Sequence, residues 1–299
     1  MARKKASRLK PSGSSAWAII VSISSTDNGV STKDDLKITG GTLSIDCTAD
    51  ALEAHDSIRI AGGDITLSTP KDGLHAKDND NNATGFIYIC GGKLSITAGD
   101  DGIHATTVAQ IDGGEFSISA AEGIEGTYVQ INGGTINISA SDDGINGAQK
   151  SKIYTPTVEI NDGNITIVMG PGDTDGIDSN GNLYINGGTV DITAQSPFDY
   201  DGTAEHNGGT IIVNGEETDQ ITNQFGGGMG GGKAPGGKMP NRNLPDGNLP
   251  KKDSPEGDLP NGDMPNGDLP EGDRPEGDIP QGGPGGGGPG GFSGDFGKH

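Results

Sequence analysis

Apolar and polar residues alternate along most of the chain in short segments that glycine pairs interrupt. In the segment 58–67 (IRIAGGDITL), every second side chain on each side of the glycine pair is apolar. Strict alternation predicts β-strands, because successive side chains of a strand point to opposite faces. An apolar face that stays inside through a Gly-Gly corner predicts a chain that wraps around an axis, and glycine suits such a corner because it tolerates positive φ.

Glycine pairs recur along the chain at intervals of 20 to 29 residues. They stand at Gly40-Gly41, Gly62-Gly63, Gly91-Gly92, Gly113-Gly114, Gly133-Gly134, Gly187-Gly188 and Gly208-Gly209, and Asp162-Gly163 replaces one copy. An acid-Gly-apolar motif follows at Asp72-Gly73-Leu74, Asp101-Gly102-Ile103, Asp143-Gly144-Ile145 and Asp175-Gly176-Ile177, with variants at Asp50-Ala51-Leu52 and Glu122-Gly123-Ile124. Three short strands per repeat predict an all-β, right-handed, single-stranded parallel β-helix of about eight coils.

Apolar positions after the glycine pairs are predicted to stack into two ladders inside this solenoid. The ladders are Leu43, Ile65, Leu94, Phe116, Ile136, Ile165, Val190, Ile211 and Ile45, Leu67, Ile96, Ile118, Ile138, Ile167, Ile192, Val213. Each coil buries its apolar side chains only against its neighbours, and such a slim core explains a hydrophobic fraction of 30%. Leucine-rich repeats are excluded because no helical segment separates the strands. A calcium nonapeptide roll is excluded because its repeat period is far shorter, and a two-sheet sandwich is excluded because it would not keep so regular a register.

The coils are predicted to span residues 27–215. In residues 1–26, a basic start precedes the eight-residue apolar run Ala16–Ile23, which is too short to span a membrane and barely long enough for a signal sequence. Residues 27–30 look like the third strand of a coil whose first two strands are absent, so a degraded signal and a truncated start both stay open. Residues 216–299 are rich in Gly, Pro and Asp with five-residue repeats, a composition that predicts a disordered tail.

The balance of 20 Lys and Arg against 42 Asp and Glu gives a net charge of −22. Such a surface repels nucleic acid and anionic lipid, so neither is an expected partner and no membrane insertion is expected, whereas divalent cations are expected partners. Cys47 and Cys90 occupy different positions of repeats about two coils apart, too far for a disulfide, and two isolated thiols are expected.

Carboxylates repeated at one corner of the coils are the main candidates for chemistry. Equivalent positions stack at about 4.8 Å, and two carboxylates at about 5 Å repel by roughly 3 kcal/mol at an effective dielectric near 20, so backbone N–H groups, protons or a metal must offset the repulsion. Clustered carboxylates beside turn carbonyls favour Ca²⁺ over Zn²⁺, and the alternative is that each Asp only caps its own turn. The candidate Ca²⁺ ligands are Asp72, Asp100, Asp101, Asp142, Asp143, Asp173, Asp175 and Asp178.

Two histidines and two tyrosines are the candidate ligand-binding residues. His75 and His104 follow the Asp-Gly-apolar motif, so they are expected to project outward, where they could touch sugar or metal or be plain surface residues. Tyr88 and Tyr184 share an outward strand position several coils apart. The few aromatic residues form no obvious stripe, which argues against flat crystalline cellulose and favours charge-mediated binding of uronates.

Catalysis would need a local break from the repetition. The coils hold a single arginine, Arg59, and few lysines, and nothing in the sequence brings a base and stabilising cations together as a lyase requires. The Asp pairs at 100–101 and 142–143 could be imagined as glycosidase carboxylates, but their recurrence favours a structural role. No catalytic residue is assigned.

In its Gly-Gly strand pattern and its Asp-Asp-Gly-Ile-His element, the chain resembles a family of exported bacterial carbohydrate-binding domains. The typical stretches are Lys33–Gly41, Gly99–His104 and Asp199–Gly202, and a tail like Gly226–Gly232 also occurs in the family. The resemblance covers roughly residues 27–215. It implies a calcium-containing right-handed parallel β-helix with a pectate-lyase-like fold, in which the corner acids ligate calcium and which binds cellulose and acidic sugars without hydrolysis.

Together these observations predict a non-catalytic monomer, extracellular or at the cell surface, that binds an acidic (uronate) or plant cell-wall polysaccharide. Ca²⁺ is expected to stabilise the fold or to bridge the ligand. A polysaccharide lyase or hydrolase on the same fold is the first alternative. A surface adhesin or structural spacer without glycan affinity is the second.

Overall fold

The computed structural model describes residues 3–9, 18–77, 84–172 and 174–223. Contacts divide the chain into Met1–Gly232 and Lys233–His299, and the second unit lies outside the described residues. All regular elements of the described residues are β-strands, which stack into a parallel solenoid of about 8 turns and confirm the predicted all-β fold. No helix in these ranges is long and apolar enough to cross a bilayer.

Three ladders of parallel strands give the solenoid three faces. The first face follows the Gly-Gly corners and contains Ala18–Ser24, Thr42–Asp46, Asp64–Thr69, Lys93–Ala98, Glu115–Ala120, Thr135–Ala140, Asn164–Met169, Thr189–Thr193 and Thr210–Val213. The second face carries the Asp-Gly motif and contains Val30–Thr32, Leu52–Ala54, Leu74–Ala76, Asp143–Gly147, Asp175–Ser179 and Ser196–Tyr200. The third face precedes the Gly-Gly corners and contains Asp35–Ile38, Ser57–Ile60, Phe86–Ile89, Thr157–Ile160, Asn182–Ile185 and Ala204–His206. Two long strands, Asp101–Ile111 and Glu122–Ile131, contribute to both the second and the third face.

Strand registers confirm both predicted apolar ladders. On the first face, every step from coil to coil aligns the expected partners, from Leu43 beside Ile65 to Val190 beside Ile211. A third ladder lies under the second face and contains Leu52, Leu74, Ile103, Ile124, Ile145, Ile177 and Phe198, all buried. Both cysteines are free, as expected.

Glycine is required in the two motifs for different reasons. A Cβ on Gly102 would lie 2.4 Å from Ile118 Cγ2 and 2.6 Å from the carbonyl oxygen of Gly123, so the Asp-Gly glycine is there for space. At Gly134, φ is +103°, a left-handed conformation that other residues rarely adopt, so the Gly-Gly corner needs glycine for its backbone.

Asparagines form a hydrogen-bonded ladder along the corner before the glycine pairs. The Nδ2 group of Asn161 donates to Asn132 Oδ1 at 2.8 Å, and that of Asn186 donates to Asn161 Oδ1 at 2.8 Å. Asn132 donates in turn to Asp112 at 2.7 Å, and Asn207 closes the other end by donating to Asn186 at 2.9 Å. The ladder, which the sequence analysis did not identify, links the side chains of successive coils.

The N-terminal end of the stack differs from the expectation. Residues Ala18–Ser24, taken above as part of a possible signal, form a first-face strand beside Thr42–Asp46, and Arg3–Leu9 pairs antiparallel with it. The coil that seemed to lack its first strands therefore has a first-face strand. It fits there because Val21 and Ile23 continue the apolar positions of the two ladders.

At the other end, Glu216–Thr218 pairs antiparallel with Thr210–Val213. This strand lies within the segment that composition assigned to the tail. Residues 224–299 lie outside the described residues, so the disordered tail stays a prediction.

Candidate functional site

Two rows of polar side chains run side by side along the second face. The motif row holds the acid of each Asp-Gly motif: Asp50, Asp72, Asp101, Glu122, Asp143 and Asp175. The outer row holds the residue three positions after each of these acids: Glu53, His75, His104, Glu125, Asn146 and Asp178. It continues to Asp199, which lies three positions after Ser196 in the next coil. Because parallel stacking places equivalent positions one above another, each side chain lies beside the side chain at the same repeat position of the next coil.

Part of the repulsion along the motif row is offset by the backbone. The Asp101 N–H donates to Asp72 Oδ1 at 3.1 Å, and the Asp175 N–H donates to Asp143 Oδ1 at 3.3 Å. These acids therefore accept a hydrogen bond from a backbone N–H of the next coil. The alternative stated above expected each Asp to cap its own turn. The other carboxylate oxygen stays available for a second partner.

At one end of the rows, each of two histidines lies between two carboxylates. The Nδ1 atom of His75 lies 2.9 Å from Asp50 Oδ2 and 3.1 Å from Asp72 Oδ2. The Nδ1 atom of His104 lies 2.9 Å from Asp101 Oδ2 and 3.5 Å from Asp72 Oδ2. The two rings stack with centroids 4.7 Å apart and planes at 13°. The histidines project outward as predicted, but each is partnered by carboxylates and only 19% of each side chain is exposed.

Glu125 and Lys150 complete this region, which we call the histidine half. His104 Nε2 lies 3.2 Å from Glu125 Oε2, and Lys150 Nζ lies 2.8 Å from Glu125 Oε1. Burial by itself would lower the pKa of His104, but hydrogen bonds to Asp101 and Asp72 and the charge of Glu125 outweigh it and raise the pKa to about 10. Histidine and lysine thus compensate the carboxylates here.

The other end of the rows, which we call the acidic half, is not compensated in this way. It consists of Glu122, which lies in the same strand as Glu125, and of Asp143, Asn146 and Asp178 in the next two coils. Of its acids, Glu122 is partly compensated, by the charge of Lys150 and a hydrogen bond from Asn146. Burial and the charges of neighbouring carboxylates raise the pKa of each of the three acids to about 7. Asp143 and Asp178 take part in none of the ion pairs found among the described residues.

A buried acceptor in the acidic half lacks a partner. The Nδ2 group of Asn146 donates to Glu122 Oε2 at 3.0 Å, while its Oδ1 atom is buried and accepts no hydrogen bond from the described residues. Asn146 is only 7% exposed. An unsatisfied acceptor beside repelling carboxylates is an arrangement that a cation would relieve.

An open groove of about 530 Å³ lies over the histidine half. Its lining includes Asp50, Asp72, Asp100, Asp101, Glu122, Glu125, His75, His104, Lys71 and Lys150. Within a single repeat no base lies beside cationic side chains, but in the fold His104, Lys71 and Lys150 line one groove. Parallel stacking brings together positions more than 70 residues apart, which spacing within one repeat does not reveal.

The predicted Ca²⁺ ligands divide between the two halves. Ligand atoms of Asp72, Asp100 and Asp101 lie within 4.8 Å of one another in the histidine half. Charges of Asp142 and Asp178 bear on Asp143, and the charge of Asp175 bears on Asp178, in the acidic half. Asp173 lies outside the described residues.

The two predicted tyrosines lie away from both halves, on the third face. They share one outward row, as predicted, with Gln110, Gln130 and Glu159 between them. The Tyr88 hydroxyl donates to Asp112 at 2.7 Å. The structure does not bring Tyr88 and Tyr184 together, and neither tyrosine contacts a carboxylate of the motif row or the outer row.

Sequence reasoning missed most of the outer row. Glu53, Glu125 and Asn146 were not singled out, and neither was Lys150. A signal for the row was present, since Glu53, Glu125 and Asn146 each stand three residues after a motif acid, as His75 and His104 do. Lys150 has no such place in the repeat. Aligning the repeats at that position would have identified the row.

Comparisons with known proteins give a matching family and a similar solved structure. A model of the family described as "Carbohydrate-binding domain-containing protein" matches residues 18–175 and 122–225. Among solved structures, the chain is similar to "the polysaccharide lyase-like protein from C. thermocellum", solved as a gadolinium derivative, with 20% identity and a TM-score of 0.37 over 64% of this chain and 87% of that chain. No curated protein is significantly similar. The two family matches together extend over all the coils.

Proposed function

The chain belongs to the family of carbohydrate-binding domain-containing proteins, and from this premise we propose that it binds an acidic (uronate) or plant cell-wall polysaccharide without cleaving it. We assign Ca²⁺ to the acidic half, as the ion that stabilises the fold or bridges the ligand. The observations that carry the proposal are three carboxyls with raised pKa values, Glu122, Asp143 and Asp178, and the buried Oδ1 atom of Asn146, which accepts no hydrogen bond from the described residues.

The donor atoms of the acidic half suit Ca²⁺. Three carboxyls and one amide offer only oxygen ligands, which is the type that this hard cation prefers. These three carboxyls are not among the groups of the described residues whose ligand atoms all lie within 4.8 Å of one another, so an ion would have to draw them together. Each carboxyl has its pKa raised to about 7 because it is buried among like charges. A bound divalent cation would remove that repulsion and give the Asn146 oxygen a partner.

A bridging role for Ca²⁺ follows from charge. The protein carries a net charge of −22, and a polyuronate is also an anion. Direct contact between the two is unfavourable, whereas a cation held by the protein can take a uronate carboxylate as a further ligand. Because plant-type polysaccharides lie outside cells, the proposal carries an extracellular or cell-surface location.

The test is binding of the full chain to polygalacturonate, with a neutral glucan for comparison, in Ca²⁺ and in EDTA. We expect polygalacturonate binding that EDTA abolishes and that Asp143→Asn weakens, while Asp191→Asn on the first face leaves it unchanged. EDTA-resistant binding would contradict the bridging role. No glycan binding, with Ca²⁺ still raising the melting temperature, would favour a structural spacer.

The groove over the histidine half favours a second candidate function, a polysaccharide lyase. Lys150 and His104 meet carboxylates there, and a lyase needs both a base and charge-stabilising groups beside the substrate. Incubation with polygalacturonate and Ca²⁺, followed by ultraviolet absorbance of unsaturated ends, tests this function. Formation of unsaturated product that is lost in the His104→Gln variant would show that the protein is a lyase. If the protein binds polygalacturonate but forms no product, the lyase function is excluded.

A further inference from the structure

We propose that the histidine half is a separate site for a divalent transition metal of the Zn²⁺ type, ligated by Asp72, His75 and His104. This goes beyond the proposed function, which assigns Ca²⁺ to the acidic half and does not use the two imidazoles as ligands. The site needs no glycan, so its test is independent of carbohydrate binding.

Two imidazole nitrogens converge on one carboxylate oxygen. Asp72 Oδ2 lies 3.1 Å from His75 Nδ1 and 3.5 Å from His104 Nδ1. One ligand atom from each of the three residues lies within 4.8 Å of the other two. For Zn–N and Zn–O bonds of about 2.0–2.2 Å, two ligands of a tetrahedral ion are separated by roughly 3.3–3.6 Å. The observed separations are therefore close to those that one ion would impose.

The second nitrogen of His104 has the partner that metal-ligating histidines require. Its Nε2 lies 3.2 Å from a carboxylate oxygen of Glu125, whose side chain is only 3% exposed. Lys150 fixes that carboxylate at 2.8 Å. A ligating histidine commonly donates its other N–H to such a carboxylate, which holds the ring in place. The metal would then replace the proton on Nδ1, which Asp101 and Asp72 face, so binding should release a proton.

The position also suits an incoming ion. Three protein ligands leave a fourth place for water, and the groove of about 530 Å³ above the cluster opens to solvent. Both rings must tilt out of their 13° stack for the two Nδ1 atoms to meet at one ion. Asp50 and Asp101, each 2.9 Å from an imidazole Nδ1, add negative charge that attracts a cation.

The ligand types distinguish this site from the acidic half. Imidazole with carboxylate suits zinc, cobalt, nickel and iron, whereas Ca²⁺ takes oxygen ligands. The two halves of one face are thus predicted to select different ions, although the backbone under them repeats.

The experiment titrates Zn²⁺ into the EDTA-stripped full chain by calorimetry, with excess Ca²⁺ present to occupy all-oxygen sites. We expect one Zn²⁺ per chain. His75→Gln and His104→Gln should each weaken it by more than about 100-fold, which is the upper end of the loss for an outer-sphere partner. His55→Gln, on a histidine outside the cluster, is the matched control and should bind as the wild type does.

Two further measurements keep the proposal falsifiable if a histidine variant is unstable. Glu125→Gln retains all three ligands and should weaken Zn²⁺ by about tenfold. Co²⁺ in place of Zn²⁺ should give the visible absorption of a four- or five-coordinate ion, and that absorption should vanish in His104→Gln. Absence of Zn²⁺ binding, binding unchanged in both histidine variants, or equal loss in His55→Gln would overturn the proposal.

Discussion

At the scale of single residues, the side chain three positions after each motif acid determines the chemistry of its coil. Histidine at 75 and 104 places a cationic or metal-binding group between carboxylates. Asparagine at 146 and aspartate at 178 bring no positive charge to the carboxylates at the corresponding positions of their own coils. Because the backbone of each coil is nearly the same, a change of one side chain at this position is enough to remove the cationic neighbour of a carboxylate and leave it among like charges.

This contrast makes the effect of Asp178→Asn depend on calcium. In EDTA the substitution removes one of the repelling charges, so we expect the free energy of unfolding to rise by about 1–2 kcal/mol, less than the roughly 3 kcal/mol of a bare pair because solvent screens it. In excess Ca²⁺ the variant should be less stable than the wild type, since a ligand is lost. Thermal melts in both conditions measure this. Asp191→Asn should change neither melt, and a loss of stability in EDTA would contradict uncompensated repulsion.

Space at the Asp-Gly corner gives a second prediction for a single residue. The Gly102→Ala methyl would overlap Ile118 Cγ2 and the Gly123 carbonyl oxygen, so we expect a loss of about 1–3 kcal/mol of unfolding free energy. Gly62→Ala is the matched control, because its nearest contact would be an ordinary 3.4 Å. Denaturant unfolding in excess Ca²⁺ measures both variants. Equal effects would mean that the corner can relax.

At the scale of the elements, the period of the repeat was enough to predict the strands and the inward ladders. Leu43 beside Ile65 follows from alternation and the Gly-Gly position alone. The pairing of Lys150 with Glu125 does not, because it depends on a side chain from a non-strand segment reaching a neighbouring coil. Ala18–Ser24 was missed for another reason: its apolar run also matches a short signal sequence, and only pairing with the next coil distinguishes the two.

The asparagine ladder is an element that links coils through side chains, so its interior should matter more than its end. Asn161→Ala removes one donated and one accepted hydrogen bond, for which we expect a loss of about 1–2 kcal/mol. Asn207→Ala, at the end, should cost less because its side chain only donates. Denaturant unfolding of both variants in excess Ca²⁺ measures the difference. A larger loss for Asn207→Ala would show that the ladder does not act as a unit.

At the scale of the whole molecule, the acidic half and the net charge of −22 act in the same direction when metal is removed. Both favour protonation of the folded state, one locally and the other through long-range repulsion. The stability of the metal-free protein should therefore depend on pH in a way that Ca²⁺ changes.

The sign follows from the direction of the shifts. Glu122, Asp143 and Asp178 have a folded pKa of about 7, above the ordinary values of 4.5 and 3.8. Between the ordinary pKa and about 7, the folded state binds more protons than the unfolded chain. The stabilisation that these three carboxyls give the folded state is therefore complete below the ordinary pKa and is lost as pH rises through about 7. His104, whose pKa is raised from 6.5 to about 10, also loses its contribution as pH rises, so only the change caused by Asp143→Asn belongs to the acidic half. Asp72, with a lowered pKa, acts in the opposite direction only below about pH 4.

Melting temperatures of the full chain at about pH 5 and about pH 8 check this prediction. In EDTA we expect the melt at the higher pH to be lower by several degrees, since all three carboxyls are then charged and each is repelled by neighbouring carboxylates. In excess Ca²⁺ the difference should shrink or reverse, because the ion binds the charged carboxyls and protons compete with it. Asp143→Asn should reduce the pH dependence in EDTA by removing one of the titrating groups. A metal-free protein that is equally stable at both pH values would mean that other groups already neutralise the acidic half, and the case for Ca²⁺ there would lose its electrostatic basis.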